Sequence, residues 1–494
     1  MPSINWEEIL SLFAYQAGSP LMFNTGAFLL LFALFYTIYV GGYKSLGFRK
    51  WYVLAFSLYF YFKASGIYVL LLGGTIIMDY LVAIQIEESK TAARAKIWLI
   101  GSIVLNVALL GYFKYTNFLV EIFNFFLLNK TPKLDIFLPI GISFFTFQTI
   151  SYKVDVYRKE LKSTRSLLDY AFYITFFPHL VAGPIVRAKD FLYQINTGLI
   201  LNKVFLAEGL YLIVKGLFKK AVVADYVAQY VDLVYANPSG FSGFENMMAM
   251  YAYTLQIFCD FSGYTDMAIG LAAIMGFKLC ENFNSPYQAT NITEFWRKWH
   301  ISLSSWLRDY IYIPLGGNRN GKAMQQVNQL ITMLIGGLWH GASWRFILWG
   351  GLHGLALVVH KVWSQSALGK AIPENWFTKF IGWLITINTV SVLWILFRVP
   401  DIETATKSIN TVIETDFVTF WSYAQPFFNA RPLVLIMILG GFALTILPNT
   451  WKAVVKNHFV DAPLVYKALW LIVVIHLSLE MKGQGVQPFI YFQF

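Results

Sequence analysis

Apolar runs long enough to cross a bilayer recur at about 23 to 41, 66 to 86, 97 to 113, 168 to 185, 204 to 223, 247 to 276, 327 to 350, 376 to 397, 432 to 449 and 464 to 480. Crossing the hydrocarbon core takes about 20 helical residues, and every backbone polar group inside it must be satisfied by the segment itself, so such runs dictate helices. Shorter runs lie at 51 to 62, 116 to 128 and 136 to 150, and the whole pattern predicts roughly 10 to 13 membrane segments, some of them re-entrant. Charged residues make up only 13% of the chain, against about 25% in soluble domains. The expected fold class is all-α, a polytopic integral membrane protein. No Gly/Ser linker, repeat or long polar stretch divides it, so residues 1–494 are read as a single domain.

Residues 1–20 carry Glu7 and Glu8 but no Lys or Arg, so no cleavable signal peptide is expected. Lys44, Arg49 and Lys50 follow the first span, and Lys90, Arg94 and Lys96 follow the third. The positive-inside bias puts both loops in the cytoplasm if 51 to 86 makes two passes, with the N-terminus facing outward. The formal charge of +11 is scattered over such flanks, which argues for membrane lipids and against nucleic acid as partner. Cys259 and Cys280 lack metal-ligand spacing, so neither a zinc site nor a disulfide framework is implied. Cys259 reads as a small buried hydrophobe rather than an acyl carrier.

The longest interruption of hydrophobicity is 281 to 326. Within it Phe295, Trp299, Leu303, Trp306, Leu307, Tyr310 and Ile311 keep helical spacing, while Glu294, Arg297, Lys298, Arg308 and Asp309 are too charged to face lipid. That helix must lie in the interface or dip inward. Asn291 or Thr293 would cap it, and Ile313-Pro314 with Gly316-Gly317 would stop it. His300 would share a face with Trp296, Ser304 and Leu307. A second histidine, His340, sits among Gly336, Gly337, Gly341, Ala342 and Ser343, small residues that let backbones or a thin ligand come close. The forty positions between them allow an interfacial helix, a turn and half a span.

Polar side chains in a bilayer cost free energy and normally face a bundle interior or watery cavity, which makes both histidines candidates for function. Acyl transfer from a thioester to a hydroxyl needs a base as the bond forms, and histidine, with a pKa of ~6.5, suits that role. The competing reading for each is a hydrogen-bonded packing residue. Asp260, Ser262, Tyr264 and Asp266 form a third polar cluster inside an apolar run. They either line an acyl or proton path or pair with Lys or Arg of neighbouring segments. His353 and His360 share a helical face and read as a packing residue and an interfacial one. His179, between Pro178 and Gly183-Pro184, sits at a broken segment whose backbone would supply partners. The last residues, Gln487 to Phe494, form an aromatic tail with one phenol, Tyr491. It is either an interface anchor or a segment that inserts into a groove and presents Tyr491.

Phe295-Trp296-Arg297-Lys298-Trp299-His300-Ile301-Ser302 and Leu338-Trp339-His340-Gly341 together resemble the membrane-bound O-acyltransferases. Asn282-Phe283-Asn284-Ser285-Pro286-Tyr287, Arg308-Asp309-Tyr310-Ile311-Tyr312-Ile313-Pro314-Leu315-Gly316-Gly317-Asn318-Arg319 and Trp349-Gly350-Gly351-Leu352-His353-Gly354 look like the alginate O-acetyltransferase branch. Leu138 to Gln148, Asp155-Val156-Tyr157-Arg158 and Ala182 to Arg187 fit the same branch. Coverage is about 20 to 400; the helices of 430 to 482 match only as generic spans, and Lys298 stands where Arg is common.

This resemblance implies a helical bundle with re-entrant helices around a central funnel or tunnel. It implies transfer of an acyl group, expected to be acetyl, from a cytoplasmic thioester toward hydroxyls of an extracytoplasmic polysaccharide. The donor would be acetyl-CoA or the phosphopantetheine of an acyl carrier protein, with no bound cofactor or metal. His340 carries over as catalytic base and His300 as its partner. The motifs add Trp296, Trp299, Asp309, Asn318, Trp339 and Gln148 as tunnel or substrate-lining candidates, beside Asp260, Ser262, Tyr264 and Asp266. A separate periplasmic or extracellular acyltransferase is the expected partner, and the bacterial inner membrane the expected location. The tail resembles those of small companion proteins in D-alanylation systems, which makes Tyr491 a candidate acyl relay. Two alternatives stand: D-alanyl transfer from a carrier protein to teichoic acid, disfavoured by Pro314 to Arg319, and a proton-coupled transporter using Asp260, Asp266, His300 and His340.

Overall fold

The computed structural model describes residues 14–15, 20–127, 130–197, 201–481 and 489–490. Among these, every regular element is a helix. Among the described residues, five stretches are long and apolar enough to cross a membrane, or up to seven if each of two sharply bent helix pairs is one span. The sequence expectation was higher because an apolar run need not be one unbroken helix. The 168 to 185 run is cut at Phe176 into Leu167–Thr175 and Phe177–Leu180, and the 204 to 223 run leaves α-helical geometry at Phe218.

The chain divides into two compact units, Met1–Gly209 with Met267–Cys280, and Leu210–Asp266 with Glu281–Phe494. In the first, α1 (Gly26–Gly42), α2 (Leu46–Ser65), α3 (Val69–Glu88), α4 (Ala92–Leu110) and α5 (Ile142–Tyr157) are the principal helices. Phe28, Phe32 and Phe35, spaced at helical intervals, bring one face of α1 onto the Phe177 ring at centroid distances of 6.4, 6.1 and 5.9 Å. Leu30, Leu34 and Ile38 on the opposite face are exposed, as a lipid-facing surface requires. Between α3, α4 and α5, Lys153 donates to Asp79, both side chains fully buried. Asn106 Nδ2 also donates to Asp79 at 2.9 Å. A buried ion pair of this kind is tolerated because each charge has its partner; removing one would leave the other stranded at a cost of roughly 3–5 kcal/mol.

The second unit holds most of α6 (Gly243–Ile274), of whose most apolar window 83% is buried, against 22% for Ala92–Leu127. An apolar helix so enclosed serves as a core element rather than a lipid-facing one. Around it lie α7 (Ile292–Lys298), α8 (Ile301–Leu307), α9 (Gly321–His340), α10 (Trp344–Gln365) and α11 (Trp376–Arg398). Helices α9 and α10 form a tight hairpin. A Cβ on Gly337 would lie 2.2 Å from the Phe346 carbonyl oxygen, and one on Gly350 2.4 Å from that of Met333. Here the small residues around His340 serve backbone-to-backbone approach. The Arg345 guanidinium donates to the carbonyls of Phe397 at 2.6 Å and Leu396 at 3.2 Å, which satisfies the C-terminal end of α11 with a cation.

Candidate active site

The expected continuous helix across residues 294 to 311 is two helices. Asn291 caps α7 as anticipated, its Oδ1 accepting the Glu294 N–H at 2.9 Å. Trp299 then takes extended dihedrals and His300 a left-handed conformation, φ +43° and ψ +55°. A β-carbon makes that region unfavourable for a histidine, so something must hold it there. Asn282 does. Its carbonyl oxygen accepts the Ile301 N–H at 2.9 Å. Its side-chain Oδ1 accepts from His300 Nδ1 at 3.0 Å, from the Ser302 N–H at 3.1 Å and from Ser302 Oγ at 2.9 Å. Because Asn282 Oδ1 only accepts, His300 carries its proton on Nδ1 and a lone pair on Nε2. Complete burial pushes its pKa down to about 3, so the ring is neutral near pH 7.

His340 is the last residue of α9 and is buried. It is enclosed by rings: Trp339 at 5.0 Å, Trp349 at 5.1 Å and Phe397 at 5.2 Å between centroids. The His300 and His340 centroids are 6.4 Å apart, with Trp339 6.0 Å from His300. The two motifs therefore meet within one unit, and Trp339 borders both imidazoles.

The remaining candidates fall in different surroundings. Trp296 donates its indole N–H to His353 Nδ1 at 3.3 Å. Trp299 packs in an aromatic core, tilted against Trp394 with 4.9 Å between centroids. Asp309 pairs with Arg308 at 2.7 Å and is half-buried, while Asn318 is exposed on the turn after Gly316 and Gly317, both at positive φ. Asp266 is ion-paired with Lys215 and Lys219, and Lys219 also donates to Ser262 Oγ at 3.1 Å. Asp260 pairs with Lys220, which also pairs with Asp225. Gln148 is buried in the first unit, on α5. Tyr491 lies outside the described residues, but Phe489 and Ile490, just before it, are buried. Ile490 donates its N–H to Asp260 Oδ2 at 3.0 Å, and the Phe489 ring lies 4.6 Å from Tyr264 and 5.9 Å from Phe261. Phe261 in turn sits edge-on to His300 at 4.7 Å.

Four residues outside the sequence-derived set belong to this neighbourhood: Phe261, Asn282, Trp349 and Phe397. Asn282 stood in a recognised motif, yet nothing in its spacing signals that it orients a ring eighteen residues away. His179, in the first unit, donates to the Tyr173 carbonyl at 2.8 Å. His360 meets Thr293 Oγ1 at 2.9 Å and lines a cavity of about 810 Å³ that also touches Asn291 and Lys379. No group of His, Cys, Asp and Glu among the described residues is arranged to hold a metal ion.

A family model described as MBOAT, membrane-bound O-acyltransferase family, matches residues 110–397. The chain is 39% identical over 426 residues to a peptidoglycan O-acetyltransferase of Helicobacter pylori, covering 80% of each. It is 40% identical over 392 residues to a probable alginate O-acetylase AlgI of Pseudomonas aeruginosa, covering 78% of this chain and 73% of the relative. A teichoic acid D-alanyltransferase of Streptococcus thermophilus is 31% identical over 295 residues, covering 55% of this chain and 70% of the relative.

Proposed function

Since the chain belongs to the membrane-bound O-acyltransferase family, we propose that it moves an acetyl group from a cytoplasmic thioester toward hydroxyls of an extracytoplasmic cell-envelope polysaccharide, with His340 as general base. The observation that carries this reading is the pair of buried imidazoles with centroids 6.4 Å apart in one unit. Two imidazoles this close can both lie about 3–3.5 Å from one reacting group at their shared edge. A hydroxyl gives its proton to His340 as its oxygen attacks the thioester carbonyl. The C–S bond then breaks, and the leaving sulfur takes the proton back. His300, locked in one tautomer by Asn282, offers the Nε2 lone pair as an acceptor for an N–H or O–H of the bound substrates other than the hydroxyl that reacts. The relatives' printed names, O-acetyltransferase of peptidoglycan and O-acetylase of alginate, support acetyl and a polysaccharide acceptor. The donor is acetyl-CoA or a carrier-bound thioester, and the setting a bacterial inner membrane.

The tail completes the reading. Tyr491 is the next residue in the chain after Ile490, whose N–H is tied to Asp260, and Phe489 is separated from His300 by the one ring of Phe261. That anchoring supports Tyr491 as the hydroxyl that first takes the acetyl group and then yields it to an exported transferase, which passes it to the polymer. The test is acetylation of the cell-surface polymer in cells carrying Tyr491→Phe. The relay predicts its loss with the protein still present at normal level. Normal acetylation would sink the relay and leave direct transfer, while D-alanine in place of acetyl on the polymer would favour the D-alanyl alternative.

A further inference from the structure

On α10, Trp349 and His353 lie one helical turn apart and share a face. Their rings are 4.8 Å apart, and Trp349 is also 5.1 Å from His340, nearly perpendicular to it. Both are essentially inaccessible, at 1% and 0% exposure. The Trp296 indole donates to His353 Nδ1. An accepting nitrogen bears no proton, so the proton of His353 is on Nε2. His353 thus has the opposite tautomer to His300. Trp349 Nε1 and His353 Nε2 are then two N–H donors, and neither has a hydrogen-bond acceptor among the described residues. Buried donors without acceptors are rare in folded proteins, because their lost hydration is not recovered. Two of them on one face beside His340 indicate a place for an oxygen-bearing ligand.

We propose that the Trp349 and His353 N–H groups receive the carbonyl oxygen of the acyl thioester and hold the negative charge that develops on it. The proposal rests on the acyl-transfer reading above and adds to it the groups that polarise the donor. As the acceptor hydroxyl passes its proton to His340 and its oxygen bonds to the carbonyl carbon, the carbonyl electron pair moves onto oxygen, facing the two donors. When that pair returns, the C–S bond breaks and the sulfur leaves with the proton from His340. A neutral donor pair fixed in a dry, aromatic enclosure suits this task, since it needs no reorganisation as charge appears. Trp296 acts one step back: by donating to Nδ1 it keeps the proton of His353 on Nε2, which makes it a positioning residue.

The test removes the N–H without removing the ring. Benzothienylalanine at position 349 replaces the indole N–H by sulfur at nearly unchanged shape, so loss of folding is not expected. His353→Gln keeps an N–H near the Nε2 position, and His353→Leu has none. Initial rates of acetyl transfer from labelled acetyl-CoA are measured in membranes over a range of donor concentrations. The expected result is a fall in kcat of about 100- to 1,000-fold on loss of either donor, with KM for acetyl-CoA within about twofold and substantial recovery in His353→Gln over His353→Leu. Unchanged kcat, a change confined to KM, or equal loss in the Gln and Leu variants would overturn the proposal. If the wild type proved inert toward acetyl-CoA, the donor named in the function reading would be at fault. The same variants would then be scored by polymer acetyl content in living cells, where normal acetylation in both His353→Leu and the isostere again overturns it.

Discussion

His300 and His340 are both buried histidines of one unit, yet the chain delivers them by opposite means. His300 is set by hydrogen bonds: a left-handed backbone and a tautomer, both imposed by Asn282. His340 is set by packing, at the end of a helix whose glycines let α10 press close and among the rings of Trp339, Trp349 and Phe397. An imidazole whose Nδ1 proton is tied to an amide oxygen keeps one tautomer. That difference matches a division between a positioning imidazole and one that takes and returns a proton.

Substitution should separate the two. His340→Ala is expected to lower acetyl transfer by about 10²–10⁴-fold, the range for losing a general base; His300→Ala should cost less and leave measurable turnover in the same membrane assay. Equal, total loss in both would contradict the division. Asn282→Leu should lower turnover by about as much as His300→Ala. The double variant should be no worse than either single one, because both act through the same ring. Additive losses would mean that Asn282 has a separate task.

Gly337→Ala places a methyl 2.2 Å from the Phe346 carbonyl oxygen, so the hairpin must open, with an expected loss of about 1–3 kcal/mol. Gly351→Ala, whose added carbon would meet a Leu334 methyl at 3.4 Å, should be nearly neutral. Thermal unfolding of the two purified variants in detergent checks this pair. A further prediction concerns pH. His300 titrates near 6.5 when unfolded but is pushed down to about 3 in the fold. Between these values the unfolded chain binds the extra proton. Stability is therefore fully present above about pH 6.5 and falls as the pH drops toward 3, with a slope of up to about 1.4 kcal/mol per pH unit from this group. His300→Gln should flatten that part of the profile; an unchanged slope would mean that His300 is not held neutral.

Much of the helical, membrane-spanning character was legible, because apolar runs act locally and each run needs only its own residues. The number of segments was less so, since breaks such as that at Phe176 depend on packing. His300 and His340 were legible as a pair of unusual residues, and their meeting was not. It depends on the left-handed turn at His300, which no local pattern announces, and on Asn282, which reaches it only in the folded chain. His353 read as a packing residue because its spacing is that of a core face; only the direction of the Trp296 hydrogen bond reveals its tautomer. Asp260 and Asp266 were open between a path and ion pairs, and lysines of residues 215 to 220 pair with both. The burial of Phe489 and Ile490 on Tyr264, Phe261 and Asp260 could not be read from an aromatic tail that suits a membrane interface equally well.

Isotope-labelled acetyl-CoA supplied to membranes containing either the wild-type chain or His340→Ala, with the label followed by mass spectrometry, shows whether His340 is the base. Labelled acetyl is expected on the wild-type protein, at Tyr491, or on its acceptor, and at most about a hundredth as much on either in the variant. Equal labelling in the two preparations would contradict that role, because acyl transfer would then proceed without the base on which the whole site is read.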